Sequence, residues 1–243
     1  VSVNAALIEA IRSALAAHGD PARAADQQRY MKSAMPYHGV VTADVRRLTA
    51  VHVAAHRREL ESRHDWEDTL RALWDGATHR EERYAALAIA RHRLSRPHRA
   101  TSNLPLWRHF VETGAWWDLV DETATHLVRD DLAIEHAHVA DAMRAWSLDR
   151  DLWLRRAAII CQVGAHDAVD LDLLADVVEP NLEGGLTAPP GGKQDFFIRK
   201  GIGWALRDAA RRRPGWVRSF VDRHAARMSG LTIREATKHL ARE

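Results

Sequence analysis

The tetrapeptide Trp153-Leu154-Arg155-Arg156 returns in altered form as Asp44-Val45-Arg46-Arg47 and Phe197-Ile198-Arg199-Lys200, and more weakly as Thr232-Ile233-Arg234-Glu235. Each copy is an anchor followed by an often apolar residue and a basic pair. Two further anchors fit at Glu81 (Glu81-Glu82-Arg83) and Trp117, giving steps of 37, 36, 36, 44 and 35 residues. A period of this size holds two helices and matches repeats of the HEAT kind, which bury their apolar faces only by stacking on one another. The long step contains Gly184-Gly185-Leu186-Thr187-Ala188-Pro189-Pro190-Gly191-Gly192, whose surplus reads as a loop insertion.

The surrounding sequence supports helices throughout. Apolar residues recur at helical spacing, as in Val3, Leu7, Ile11, Ala14 and Leu15, and the one Asp-Gly pair, Asp75-Gly76, follows the helical spacing Leu70, Leu73, Trp74 rather than strand-like alternation. Helix punctuation falls at Gly19-Asp20-Pro21, Thr42, Gly76 to Thr78, Arg96-Pro97, Gly114, Asp149 to Asp151 and Arg213-Pro214. The expected fold is all-α: one domain over residues 1–243, an α-α superhelix of about six HEAT-like repeats with a concave basic groove.

Composition narrows the function. Lys and Arg total 35 against 33 Asp and Glu, a formal charge of +2, and only Lys32, Lys193, Lys200 and Lys238 are lysines. Arginine is the better bidentate partner for phosphate and carboxylate. A single cysteine, Cys161, excludes an internal disulfide framework and a cysteine-based zinc site. Its setting, Ile159-Ile160-Cys161-Gln162-Val163, predicts a buried small hydrophobe rather than a nucleophile. The apolar runs Tyr84 to Ala90 and Ala157 to Cys161 are far short of the ~20 residues of a membrane span. Asn4, Glu9 and Arg12 stand where a signal peptide would be apolar. The expectation is a cytoplasmic monomer without cofactor or metal.

Weaker motifs are set aside on chemical grounds. His52 and His56 have the spacing of a metal helix but lack the intervening Glu and a third ligand. Gly191-Gly192-Lys193-Gln194 has Gln where a phosphate loop needs Ser or Thr.

The repeat gathers the conspicuous residues. Counted from its anchor, Trp117 is at the start, Asp121 four residues on, Arg156 three and Trp204 seven. At about 100° per residue they fall within an arc of about 100°. Equivalent positions in stacked repeats project from one side, so these four share a face. A carboxylate one turn from an indole can sit beside it over a shared ligand, although a core tryptophan and a structural ion pair would give the same spacing. The basic pairs Arg155-Arg156 and Arg199-Lys200 recur in step with Trp117, Trp153 and Trp204, a combination that suits phosphates and bases.

At these residues the chain resembles the AlkD-like family of bacterial DNA alkylation repair glycosylases, built of HEAT-like repeats. The resemblance rests on Arg29-Tyr30-Met31-Lys32, Leu73-Trp74-Asp75, Trp116 to Asp121, Trp153 to Ile159, Phe196 to Arg207, Arg234-Glu235-Ala236 and Lys238-His239, in family order. It places the family's catalytic carboxylate on Asp121, its sugar-facing indoles on Trp117 and Trp204, and its active-site arginine on Arg156. Tyr30 matches a tyrosine of the DNA groove. Lys32, Arg46, Arg47, Arg155, Arg199, Lys200 and Lys238 complete the expected DNA-binding set. The segment Tyr37 to Val41 and the long loop at 184–192 depart from the family pattern.

The resemblance implies hydrolysis of the N-glycosidic bond of cationic N3- or N7-alkylated purines in duplex DNA, without a tight base-flipping pocket. The cationic base is already a good leaving group. Asp121 would oppose charge growing on the deoxyribose and orient water, the two indoles would clamp the sugar, and Arg156 would grip the neighbouring phosphate. With no lysine in the cluster for a Schiff base, a monofunctional glycosylase is implied. The alternative is a non-catalytic HEAT-like scaffold for nucleic acid or protein. An unpaired Asp121 would separate the two, because a simple DNA binder gains nothing from a free carboxylate.

Overall fold

The computed structural model describes residues 4–99, 103–190 and 192–240. Val3 of the first periodic run and Gly191 of the long loop lie outside the described residues. All regular structure among the described residues is helical, and no strand occurs there. The chain divides into two compact units, Val1–Arg99 and Ala100–Glu243.

The first unit contains α1 (Ala5–Ala17), α2 (Pro21–Met31), α3 (Thr42–Ala55), α4 (Arg63–Asp75) and α5 (Arg80–Arg91). The punctuation marks its helix ends. Asp20 accepts from the Arg23 amide with Pro21 opening α2, and Gly76 closes α4. Helices α1, α3 and α4 pack on α5 around Leu7, Ile11, Leu15, Val45, Val53, Leu70, Leu73, Ala86 and Ile89. Trp66 and Trp74 are fully buried, and the Trp66 indole donates to Ser95 Oγ at 3.0 Å. Burying each large apolar side chain stabilises by about 1.5–3 kcal/mol.

Two buried carboxylates open α5. Glu81 accepts the amides of His38 (3.0 Å), Gly39 (2.8 Å) and Val40 (3.0 Å), fixing the segment before α3. Gly39 has φ 88°, and a Cβ there would lie 2.1 Å from the Asp20 carbonyl oxygen, so only glycine fits. Glu82 closes a capping box with His79 and accepts Arg12 Nε at 2.7 Å.

The second unit runs through α6 (Leu104–Gly114), α7 (Trp117–Glu122), α8 (Arg129–Ile134), α9 (His136–Ser147), α10 (Leu152–Ile160), α11 (Leu171–Val178), α12 (Phe196–Ala210), α13 (Pro214–His224) and α14 (Gly230–Ala236). Between α7 and α8 the helix widens into a π-helical stretch, Thr123–Val128, without breaking. Helix α10 is the centre of the unit and packs against α6, α7, α9, α11 and α12. Seven of its nine residues are buried: Trp153, Leu154, Arg156, Ala157, Ala158, Ile159 and Ile160. A charge in such a helix must be paired.

The long loop before α12 is tied down from within. The Thr187 hydroxyl has the Asn181 Oδ1 (2.8 Å) and the Pro180 carbonyl (2.9 Å) as acceptors for its single hydrogen, while buried Gln194 donates to Thr187 Oγ1. An internal hydroxyl–amide network shapes this loop. Cys161 is buried, and burial pushes its thiol up to about 12, as expected of an inert hydrophobe. No helix among the described residues is long and apolar enough to cross a membrane.

Candidate functional site

Arg156 supplies the charge at the centre of the second unit. Only 5% exposed, it donates from Nε and Nη2 to the two oxygens of Asp121 at 2.7 and 2.8 Å. Its Nη1 donates to the Phe197 carbonyl at 2.6 Å. The one guanidinium thus joins α7, α10 and α12. Helix α12 can approach because it carries Gly201 at the contact, where a Cβ would lie 3.3 Å from Arg156 Nη1.

Asp121 keeps 16% of its side-chain surface open. Burial pushes its carboxyl above the ordinary aspartate value, the Arg156 guanidinium pulls the other way without cancelling this, and neighbouring Asp118 adds to the rise. Its backbone carbonyl accepts the Thr125 hydroxyl at 2.8 Å, at the start of the π-helical stretch. The sequence expectation of an unpaired Asp121 is therefore corrected. A guanidinium buried in α10 recruits the nearest carboxylate, because leaving either group alone would cost more than the pairing gains. Arg156, expected on a phosphate, has three of its five N–H groups committed within the protein.

Trp117 is half-buried one turn before Asp121, and Trp204 is half-buried three residues beyond Gly201. The ring that packs with the repeat anchors is Trp116, not Trp117. Trp116, Trp153 and Phe197 have centroids 5.0 to 5.8 Å apart, with Phe196 added at 5.5 Å from Phe197.

The basic set divides. Arg155 turns its Nη1 back to the Asp149 and Arg150 carbonyls, and burial lowers its pKa. Arg199 is half-buried with its Nε buried and unpartnered. Lys200, expected on phosphate, pairs with Glu235 at 2.9 Å, and Glu235 also takes Arg207. These cations hold its carboxyl below the ordinary glutamate range. Lys238 is exposed. In the first unit Tyr30 is 76% exposed at the end of α2, Lys32 caps that helix in the left-handed region (φ 51°), Arg46 is exposed, and Arg47 pairs with Asp44 at 3.1 Å.

Sequence inspection missed a cluster of His38, His79 and Glu82 in the first unit. The two imidazoles stack with centroids 3.7 Å apart. The Glu82 oxygens are taken by Arg12, Thr78 and the His79 amide, and His79 Nδ1 by the Thr78 hydroxyl. The ligand atoms of Glu82 and His79 thus serve the helix cap. At the other histidine pair, the His56 ring bonds the His52 carbonyl at 2.9 Å.

Fold and site define an all-helical protein whose central guanidinium–carboxylate clasp lies between two half-buried indoles in sequence. The family model described as DNA alkylation repair enzyme matches residues 11–240, and the chain belongs to that family. A solved structure of a predicted DNA alkylation repair enzyme from Enterococcus faecalis is similar in fold, with a TM-score of 0.77 and 23% identity over 93% of this chain and 98% of that one. No curated protein matches. Membership assigns the chain a role in alkylation repair, with DNA as its partner.

Proposed function

We propose that the protein is a monofunctional DNA glycosylase that releases cationic N3- and N7-alkylated purines from duplex DNA by hydrolysis. The observation that carries this reading is the meeting of Asp121 and Arg156, 35 positions apart in sequence. Trp117 lies one turn before the carboxylate, and Trp204 is on the helix packed against Arg156.

The pairing leaves Asp121 chemically competent. Each carboxylate oxygen accepts one bond from Arg156 and keeps a second lone-pair direction, so it can still take a water hydrogen. As the bond to the cationic base breaks, positive charge passes to the deoxyribose, and Asp121 opposes it from a site already shielded from water. The electron-rich faces of Trp117 and Trp204 add attraction to the same charge. Arg156 retains two N–H groups, one on each terminal nitrogen, for a phosphate oxygen. Arg155, Arg199, Lys200, Lys238, Tyr30, Lys32, Arg46 and Arg47 are assigned to the DNA backbone. About six HEAT-like repeats in one domain with a basic groove, a monomeric state and a cytoplasmic location belong to the same proposal.

A second reading is favoured by one feature: a buried bidentate clasp joining three helices is also what a non-catalytic scaffold would use for its core. Incubating the protein with duplex DNA carrying 7-methylguanine or 3-methyladenine separates the two. Free alkylated base supports the glycosylase. Binding without release supports the scaffold.

A further inference from the structure

The stretch from α14 to Leu240 divides its charges between two neighbours. Glu235 is taken by Lys200 and Arg207 of α12. Arg234, Thr237, Lys238 and Leu240 instead line a cavity of about 500 Å³ with Arg218, Val221 and Asp222 of α13. Among the described lining residues three side chains are cationic and one is acidic. Arg234 and Lys238 are both exposed, and neither makes a side-chain hydrogen bond or ion pair among the described residues. They stand four residues apart, Arg234 on α14 and Lys238 just beyond its end. Lys238 contributes to the low pKa of Glu235, yet that carboxylate has its direct donors already. The Thr237 hydroxyl is spent on the Ile233 carbonyl at 2.8 Å, so the available donors are the charged ones.

Cations converging from two helices onto an open cavity suit a tetrahedral oxyanion, which offers oxygens in several directions at once. We infer that the α13–α14 cavity is a phosphate-binding subsite separate from the Asp121–Arg156 pair. Arg234 and Lys238 are its free donors, and Arg218 is its third wall. The phosphate group comes either from a DNA backbone or from a free phosphate ester. The DNA source rests on the function proposed above, whereas phosphate binding itself does not.

The test uses the full chain and the double variant Arg234→Gln with Lys238→Gln. Both residues are exposed, so the fold is retained, and a circular dichroism melt verifies this. Arg144→Gln is the charge-matched control, because Arg144 is engaged by Asp141 and Asp176 outside this cavity. Inorganic phosphate binding is read by calorimetry, and undamaged duplex binding by fluorescence anisotropy across a salt series. Loss of phosphate binding in the double variant, with the log–log salt slope reduced by about 1.8, supports the subsite and a DNA source. Loss of phosphate binding with an unchanged slope supports the subsite and a free ester. A double variant that matches Arg144→Gln in both measurements overturns the inference. Base excision enters neither arm, so failure here is distinguishable from failure of the glycosylase reading.

Discussion

Arg156 holds both oxygens of Asp121, Nε on one at 2.7 Å and Nη2 on the other at 2.8 Å, while its third nitrogen holds the Phe197 carbonyl of α12. The carboxylate assigned to chemistry is therefore also part of the packing of its unit. Substitutions there act on stability and rate together, and each must be read on both scales.

Asp121→Asn should lower single-turnover excision of 7-methylguanine by about 10² or more, the scale of losing one preorganised electrostatic partner. It also leaves the buried Arg156 charge without its anion. Breaking a fully buried pair costs about 3–5 kcal/mol, and the partial exposure of Asp121 reduces this to about 2–3 kcal/mol. Rates must be compared below both melting temperatures. Trp117→Ala and Trp204→Ala should each cost less, since the carboxylate remains. Wild-type excision by Asp121→Asn would remove it from the chemistry.

The acid limb of the excision rate should lie above the ordinary aspartate range, because burial raises the Asp121 pKa and the reaction needs the ionised form. Asp118→Asn removes a like charge, stabilises the ionised carboxylate and should move the limb to lower pH. Arg156→Lys loses the bidentate contact and should move it to higher pH. Shifts in the opposite sense would show that another group controls the rate.

Gly201→Ala and Gly203→Ala lie two residues apart in α12 and should behave differently. A Cβ at Gly203 would lie 2.6 Å from Glu235 Cβ, which cannot swing aside, so overpacking of about 1–3 kcal/mol is expected. At Gly201 the contact is the end of the Arg156 side chain at 3.3 Å, and gained helix propensity offsets the crowding. Urea midpoints of the two variants check the order. Equal losses would show that α12 is free to shift.

Glu82 should govern an acid transition of the first unit. Burial raises its pKa, but Thr78, Arg12 and the His79 amide together hold it below the ordinary glutamate value. A depressed pKa contributes stability that is present above the unfolded-state value and is lost as pH falls through the folded one. Wild-type stability should thus decline below about pH 4, and Glu82→Gln should flatten that decline while lowering stability near neutrality by about 1–3 kcal/mol. Urea titrations across this range measure it; an equally steep decline in the variant would place the transition elsewhere.

Much of the helical layout was legible in the sequence because its signals are local. Asp20-Pro21, Gly76, Gly114, Asp151 and Pro214 each mark a helix boundary through capping or missing donors, and the structure starts or stops helices there. That Asp121 and Arg156 share a face was legible in the spacing, and the structure brings the two together. Their mutual pairing was not, because spacing gives a shared face but not whether a guanidinium lies outside or inside. The adjacent Trp116 and Trp117 satisfy the anchor pattern equally well, and only packing against Trp153 and Phe197 chooses between them. The structural duty of Glu81 and Glu82 was hidden too. Their donors are backbone amides, which leave no trace in side-chain identity.

The π-helical stretch Thr123–Val128 acts as a phase adjuster in the rod that starts at Trp117. A widened turn absorbs surplus length, so residues beyond it are rotated relative to where an unbroken α-helix would put them. Upstream, Asp121 meets Arg156; downstream, Arg129 bonds the Val163 carbonyl and Asp131 accepts the Trp107 indole. Neither set of partners need be re-aimed for the other to be correct. Deleting one residue within the stretch would let the widened turn revert to an α-turn, leaving Asp121 in place and Arg129 and Asp131 close to their present facing. One rod can thereby carry two independently timed faces, and the segment between them is where natural variation in length can be absorbed without disturbing the carboxylate.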